Sequence, residues 1–586
     1  MDITKKILTE VETYKTQSVQ VGEHDTQYSQ YKLVRRVRLF QNRIYPNGKV
    51  TTDGSYKGWY DIIHPAVNNE VKNLRFESRN ILPFSTAPVQ DFAPVFILNA
   101  AMAEYNRDNM VDEELNDAVE IFSGMGNILW KDCGKEYEVC DFENTYITNQ
   151  TAKTVDETAI IQRAQYTQSQ LRSKTEWKNI ESVIDECGKK ERKQTGDTTE
   201  VESTSPVYTV YERNGEVSEK ELYEAQGKSG GDDTKYLLAR IIVAADDYSG
   251  GKKFVVYAEP FPADKKMSDV FIEAHRGPYK GKWFREGLYE LLFDYQYRVN
   301  EIGQQITSGL EWASKAIFKD ENPQFFNNIK TQLKNGRVIK STTLSQVDIR
   351  MQGLDQLIAD YNRIKQMADA VSNSLEVVTG ESMPSGMPFR MGLLLDQNAN
   401  KLYTHLRGKF GGPYAQVFRR FVIPKMVKHL KGKDIIRVTG SKDIVDRFRD
   451  TAVNSWYLSN LARIGPHTKE MAEELKKEKL AELERTEPMI ENTKEIWDGV
   501  LPRIHVTITG ENYNESANMQ TIASLLQFED DPTRRAFLMD SIYSAKGIPI
   551  PPKPAPQPQQ VQPQQGAGGM QKSPMQLPQE DNQLQV

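Results

Sequence analysis

Few residues in this sequence stand at spacings that do chemistry. The seven histidines, His24, His64, His275, His405, His429, His467 and His505, occur singly, none with a partner at metal-ligand spacing and none in a His-Glu-x-x-His pair. The three cysteines, Cys133, Cys140 and Cys187, make neither a zinc pair nor a nucleophile motif and read as reduced thiols. Gly227-Lys228-Ser229 looks like the end of a phosphate loop, but Leu222 stands where such a loop needs its first glycine, and the surroundings are a Gly/Asp-rich turn. The adjacent acids Asp246-Asp247 and Glu529-Asp530-Asp531 fall at expected turns or helix starts and read as caps rather than a two-metal site. No Gly-x-Ser-x-Gly elbow is present. The expectation is a protein that is not an enzyme and takes no metal or cofactor.

Composition narrows the class further. Apolar residues make up 38% and charged residues 27%, as in a folded soluble protein, and 586 residues suggest three or four domains. The net charge of −6 lacks the basic excess of a tight phosphate binder, so any DNA contact should be weak, local or slippery. The basic run Arg35-Arg36-Val37-Arg38 reads as a solvated helix face rather than a phosphate site. No apolar run approaches membrane-spanning length, and Met1-Asp2-Ile3-Thr4-Lys5-Lys6 lacks the apolar core of a secretory signal, so a cytoplasmic origin and no membrane are expected.

With no reacting group to position, the elements themselves carry the reading, and they centre on Trp283 to Val378. Leu288, Leu291, Tyr295, Val299, Ile302, Ile306, Leu310, Ala313 and Ile317 mark one amphipathic helix. Leu354, Leu357, Tyr361, Ile364, Ala368, Val371, Leu375 and Val378 mark a second, alternating three and four in heptad fashion. At the usual helical rise they would be roughly 50 and 37 Å long, with a polar, partly β-like insert between them. Helices this long with one narrow stripe each want neighbours, and copies of the same chain are the expected ones.

Around that unit the chain reads as α+β and multidomain. Helices are expected over Asp61–Asn80, Phe92–Phe122 and Thr167–Ile184, with short strands at 127–130, 138–140 and 160–163. A polar connection covers 188–205, and strands follow at 208–213, 236–244 and 254–257. A Gly/Pro-rich loop covers Thr379–Pro388, then helix from Met391 to Leu430, interrupted at Gly411-Gly412-Pro413. Strands at 435–439 and 504–509 flank a charged helix over Lys469–Arg485. Asp531-Pro532 opens a last helix that stops at Gly547, and the Pro/Gln-rich remainder has too little apolar surface to fold.

The order of these elements resembles the portal proteins of tailed bacteriophages. Lys282-Trp283-Phe284-Arg285-Glu286-Gly287-Leu288, with Gln296 and Asn300 beyond it, is similar to the lead-in to a portal's first stem helix. Cys140-Asp141-Phe142-Glu143-Asn144-Thr145-Tyr146, followed by Ala152, resembles that family's Asp-Pro-x-Asn-x-Tyr stretch in the wing, with Phe142 where proline is common. Gly380-Glu381-Ser382-Met383-Pro384-Ser385-Gly386 sits where portals place the loop after the second stem helix. The likeness spans residues 30–548.

The resemblance implies a portal-like fold: long stem helices with a small α/β clip, an α/β wing and a helical crown. It divides the chain into wing (1–281 and 393–510), stem helices (282–318 and 354–378), clip (319–353), channel loop (379–392), crown (511–548) and a disordered tail (549–586). It implies a ring, usually a dodecamer, at one capsid vertex of the virion, made in the host cytoplasm, through which double-stranded DNA is packaged and ejected. Its partners would be further copies of itself, the terminase large subunit, the major capsid protein and head–tail adaptor or tail proteins. Leu357, Tyr361, Ile364, Val371 and Leu375 would pack the stem. Gln324, Asn327, Lys330, Lys334 and Arg337 would face the clip's partners. Met383, Met387, Phe389, Arg390 and Met391 would line the channel loop, with Arg390 the one cation there for a phosphate. A buried hinge between helices explains the same loop, and a solvated face explains the acidic side of the second stem as well as a channel lining does. The alternative class is a helical scaffold or filament-forming protein.

Overall fold

Helical periodicity at the N-terminus builds three helices, each burying one stripe. α1 (Ile3–Thr16) buries Ile7, Val11 and Tyr14, α2 (Gln30–Gln41) buries Leu33, Val34, Val37 and Phe40, and α3 (Ile63–Leu74) buries Ile63, Ala66, Val67 and Leu74. The Ser29 hydroxyl caps α2 by accepting from the Lys32 amide at 3.2 Å. Between α1 and α2, β1 (Gln20–Val21) pairs with β2 (His24–Asp25). The computed structural model describes residues 3–21, 24–25, 29–46, 48, 57–78, 81–86, 91–187, 207–245, 253–314, 317–320, 344–347, 353–372, 389–430, 449, 452–453, 456–457, 469–485, 497 and 499–508.

β3 (Ile81–Ser85) comes next, then α4 (Phe92–Asp108) and α5 (Val111–Met125). The single helix expected over Phe92–Phe122 is therefore two. Asn109 ends α4 and Met110 turns left-handed, with φ 50°, before Asp112, Glu113 and Glu114 complement the α5 N-terminus.

The alternating stretches form two antiparallel sheets. One has the order β11 (Phe271–His275), β4 (Asn127–Asp132), β5 (Tyr137–Val139). The other has the order β10 (Lys253–Pro260), β9 (Tyr236–Ala245), β8 (Val207–Ser218), β7 (Ile160–Thr167), β6 (Thr145–Ile147). β3, β6 and β11, each of five residues or fewer, are not among the strands expected from the sequence. The helix expected over Thr167–Ile184 is α6 (Gln168–Arg172) and α7 (Ile180–Cys187), separated by a non-helical stretch. α8 (Glu219–Gln226) opens on a reciprocal Ser218/Glu221 capping box and ends at the left-handed Gly227.

α9 (Leu288–Ser314) leads through β12 (Ile317–Asp320) and β13 (Leu344–Val347) into α10 (Leu354–Ser372), and β12 pairs antiparallel with β13. α11 (Phe389–Val417) runs straight through Gly411-Gly412-Pro413. An interior proline costs about 3 kcal/mol. The fully buried Phe410, Tyr414, Val417 and Phe418 hold the helix together across it. The irregularity comes later, as a π turn over Phe418–Val422, and α12 (Ile423–His429) follows. α13 (Lys469–Arg485) has the bounds expected from its charge pattern. β14 (Ile504–Ile508) pairs antiparallel with β3, Ile504 opposite Ser85, and Arg503 clamps Asp91 through two bonds of 2.8 and 2.6 Å.

Three cores result among the described residues. One joins α1, α2, α3, the larger sheet, α9 and α10; a second joins α4, α5, β4, α11, the π turn and α12; a small third packs Leu171 of α6 and Val183 of α7 on Val210, Ile242 and Val256 of the larger sheet.

Candidate functional site

Two of the three stretches quoted for the portal likeness, those around Phe142 and Trp283, meet at the base of α9; the third, 380–386, lies outside the described residues with the rest of the 379–388 loop. Phe142 lies edge-on to Trp283 and Phe284, with ring centroids 5.7 and 4.8 Å away. Asp141 shapes the turn that presents Phe142, accepting from the Glu143 amide and the Asn144 side chain, and it takes an ion pair from Arg38 at 2.7 Å. The Trp283 indole donates to Glu273 at 2.8 Å, and its backbone donates to Gln150 O. Asn127, fully buried, closes a two-bond ring with the backbone of Arg285, accepting from its N–H and donating to its C=O, both at 2.8 Å. Only glycine fits the crossing beside it. A Cβ on Gly126 would stand 2.4 Å from Gly287 N, and one on Gly287 would stand 2.3 Å from Gly124 O.

Beyond that base, α9 grips an extended segment with side-chain amides. Gln296 accepts from the Ile62 N–H at 2.9 Å and donates to the Tyr60 C=O at 2.6 Å. Asn300 accepts from the Tyr60 N–H at 2.8 Å and from Gln296 at 2.9 Å, and Gln304 accepts from the Gly58 N–H at 3.3 Å. Residues four apart share a helix face, so the three amides read alternate residues of 58–62 much as a neighbouring strand would. Tyr60 folds its ring over Gly303, where a Cβ would clash at 2.4 Å, and its hydroxyl donates to Gly303 O. Gln296 and Asn300 are as buried as the core. Gln304 and this pairing role escape the sequence reading, although polar residues recurring every four positions on a helix were the available signal.

α10 lies along α9 within one chain. Ile364 and Ala368 are buried against the same core as Val299 and Ile302, with Leu357 and Tyr361 packed beside them. The ions Glu301, Arg298, Asp360 and Arg363 chain across the two helices, Arg298 reaching Asp360 at 3.7 Å. This alters the expectation that the stripes await neighbouring copies, since the chain's own α9 covers Ile364 and Ala368 of the α10 stripe, while Leu354, Leu357 and Tyr361 are half-buried. α9 itself is buried on a second side through Tyr289, Leu292 and Phe293, and the first stripe ends early, with Leu310 half exposed and Ile317 in β12. Val371, named as a packing position, is 39% exposed. Tyr297, Leu310, Ile358, Met367 and Val371 are large apolar side chains exposed on the two helices of the hairpin.

Phe389, Arg390 and Met391 fall on the first turn of α11 rather than in a loop. Leu375, Met383, Met387, Gln324, Asn327, Lys330, Lys334 and Arg337 lie outside the described residues, as do the strand at 435–439, the last helix, the crown and the tail.

The residues with chemical potential have structural duties. His64 bridges Asp61 and the Gln41 carbonyl, and His275 bridges Asn127 and Glu273. Burial pushes the Cys133 thiol up to about 12 and Cys140 well above the usual range, the reverse of an activated nucleophile. Gly227 closes the C-terminus of α8, so Gly227-Lys228-Ser229 sits at the negative end of a helix, where a phosphate is disfavoured. The basic run on α2 is used internally in part, with Arg36 over the Phe293 ring at 4.7 Å and Arg38 on Asp141. Among the described residues no cluster of histidine, cysteine or acid suits a metal, and no helix is long and apolar enough to cross a membrane. In comparison with known proteins, the chain matches no protein-family model and no curated protein.

Proposed function

We propose that this chain is one subunit of a portal ring, a non-enzymatic channel for packaging and ejecting double-stranded DNA at a capsid vertex. The observation that carries the reading is the α9–β12–β13–α10 hairpin, fastened at its base by the Asn127 ring, the glycine crossing and the amide ladder. A rigid arm with a small β element between its helices and an α/β body at its base is what a stem, clip and wing require. Apolar side chains left exposed on that arm suit repeated contacts around a closed symmetry axis. In this reading the terminase large subunit, and then adaptor or tail proteins, dock at the far end of the arm, while the major capsid protein meets the body.

Native mass spectrometry with negative-stain imaging tests the reading. The expected result is a closed ring with a central hole, lost on Ile358→Asp/Val371→Asp while the monomer keeps its thermal midpoint, because both side chains are exposed in the single chain. A monomeric wild type overturns the proposal, and open filaments favour the scaffold alternative.

A further inference from the structure

A cleft of about 400 Å³ opens on the body, away from the hairpin, between α4, the β4–β5 turn and α12. Its floor is apolar: Phe421 and Val422 from the π turn are buried, and Met426 from α12 is half-buried. Its walls are Tyr105 and Tyr137. Its rim is acidic, with Glu104 and Asp108 one helical turn apart on α4 and Glu136 opposite on the turn.

The charges do not cancel. Lys425 is held by Asp132 and by the Glu136 carbonyl. Asp108 pairs with Arg107 at 3.5 Å, whereas neither Glu104 nor Glu136 makes a side-chain ion pair among the described residues, which leaves Lys135 as the rim's other lysine. Burial together with the negative field of Glu114 and Glu136 pushes Tyr105 up to about 12. Aromatic faces beside unpaired carboxylates attract a planar cation, and an apolar floor next to them accepts an aliphatic side chain.

We propose that this cleft docks a short segment of a partner protein that presents an arginine beside an apolar side chain. The guanidinium stacks between Tyr105 and Tyr137 and bridges Glu104 and Glu136, while the apolar side chain reaches Phe421 and Met426. A second copy of this chain is the poorer occupant, because its net charge of −6 opposes approach to an acidic rim. The proposal does not depend on the ring reading.

The test pans a random dodecapeptide phage library on the full-length protein and measures the best synthetic peptide by fluorescence anisotropy. We expect enriched peptides with arginine within three residues of leucine, methionine or phenylalanine, and binding that weakens with added salt. Glu104→Gln/Glu136→Gln should weaken the peptide at least tenfold, and Lys135→Glu should strengthen it severalfold, a gain that a merely structural role would not produce. Enrichment without a basic residue, no enrichment, or equal affinity for Glu104→Gln/Glu136→Gln overturns the proposal.

Discussion

Two regions of the body bury polar groups in opposite ways. At the base of the hairpin, α9 holds residues 58–62 with neutral amides, and every bond in the ladder is independent of charge. Between the two sheets, Lys131 of β4 reaches Glu212 of β8 at 2.9 Å, and Arg240 of β9 takes the same carboxylate at 2.9 Å. Asn214 adds a bond to Glu212 at 3.0 Å. Burial alone would raise the Glu212 carboxyl, but Lys131 and Arg240 outweigh it and hold it at about 2, while Glu212 raises Lys131. The amides give register, because each donor meets one backbone group. The charged cluster ties two sheets together at a desolvation cost that only a complete set of partners offsets.

The sharpest way to break the comparison is to remove one charge. Glu212→Gln leaves the buried Lys131 with only the half-exposed Glu138, 4.0 Å away, and should cost about 3 kcal/mol at neutral pH, read by denaturant unfolding. A loss under about 1 kcal/mol would mean that water reaches Lys131 and the cluster is not dry.

Acid comes next. A folded carboxyl held at about 2, against an ordinary 4.5, contributes stability that is complete above about pH 4.5 and lost as pH falls toward 2. That shift corresponds to about 3 kcal/mol. The wild type should therefore lose stability relative to Lys131→Met/Glu212→Leu across that window, and parallel curves would refute the assignment.

Gln296→Leu should cost about 2 kcal/mol by orphaning the Ile62 N–H and the Tyr60 C=O. Its loss should be the same at pH 4 and pH 7, and amide hydrogen exchange at Ile62 should accelerate. A pH-dependent loss would show that the ladder leans on a charged neighbour.

The smallest effect separates strength from specificity. Lys131→Met/Glu212→Leu exchanges the ion pair for apolar volume and should change stability at neutral pH by less than about 1 kcal/mol, because desolvation and attraction leave together. Arg240, partly exposed, can turn its guanidinium to solvent. A large loss in the double variant would show that the pair adds net stability.

Much of the secondary structure was legible in the sequence, because it is set by local periodicity. β8, β9 and β10 and the bounds of α13 fall where alternation and charge spacing place them. Both long helices are present, and the residues of Gly227-Lys228-Ser229 form the expected turn. Period tells which side chains share a face; it does not tell what covers that face. The α10 stripe looked unpartnered until α9 was seen to cover Ile364 and Ala368, and Val371, on the same heptad line, stays exposed.

The candidate site was less legible, since its contacts join residues far apart in the chain. Gln296 and Tyr60 are 236 positions apart, and Asn127 and Arg285 are 158 apart, so no window of sequence contains both partners. Pro413 makes the same point from the other side. Its local penalty argues for a break, but Phe410, Tyr414 and Phe418 share one core only if the helix continues. Local chemistry determined which segments are helix or strand and the lack of a catalytic motif. Tertiary packing decided which polar groups went inside, because a buried amide is tolerated only where a distant backbone supplies its bonds.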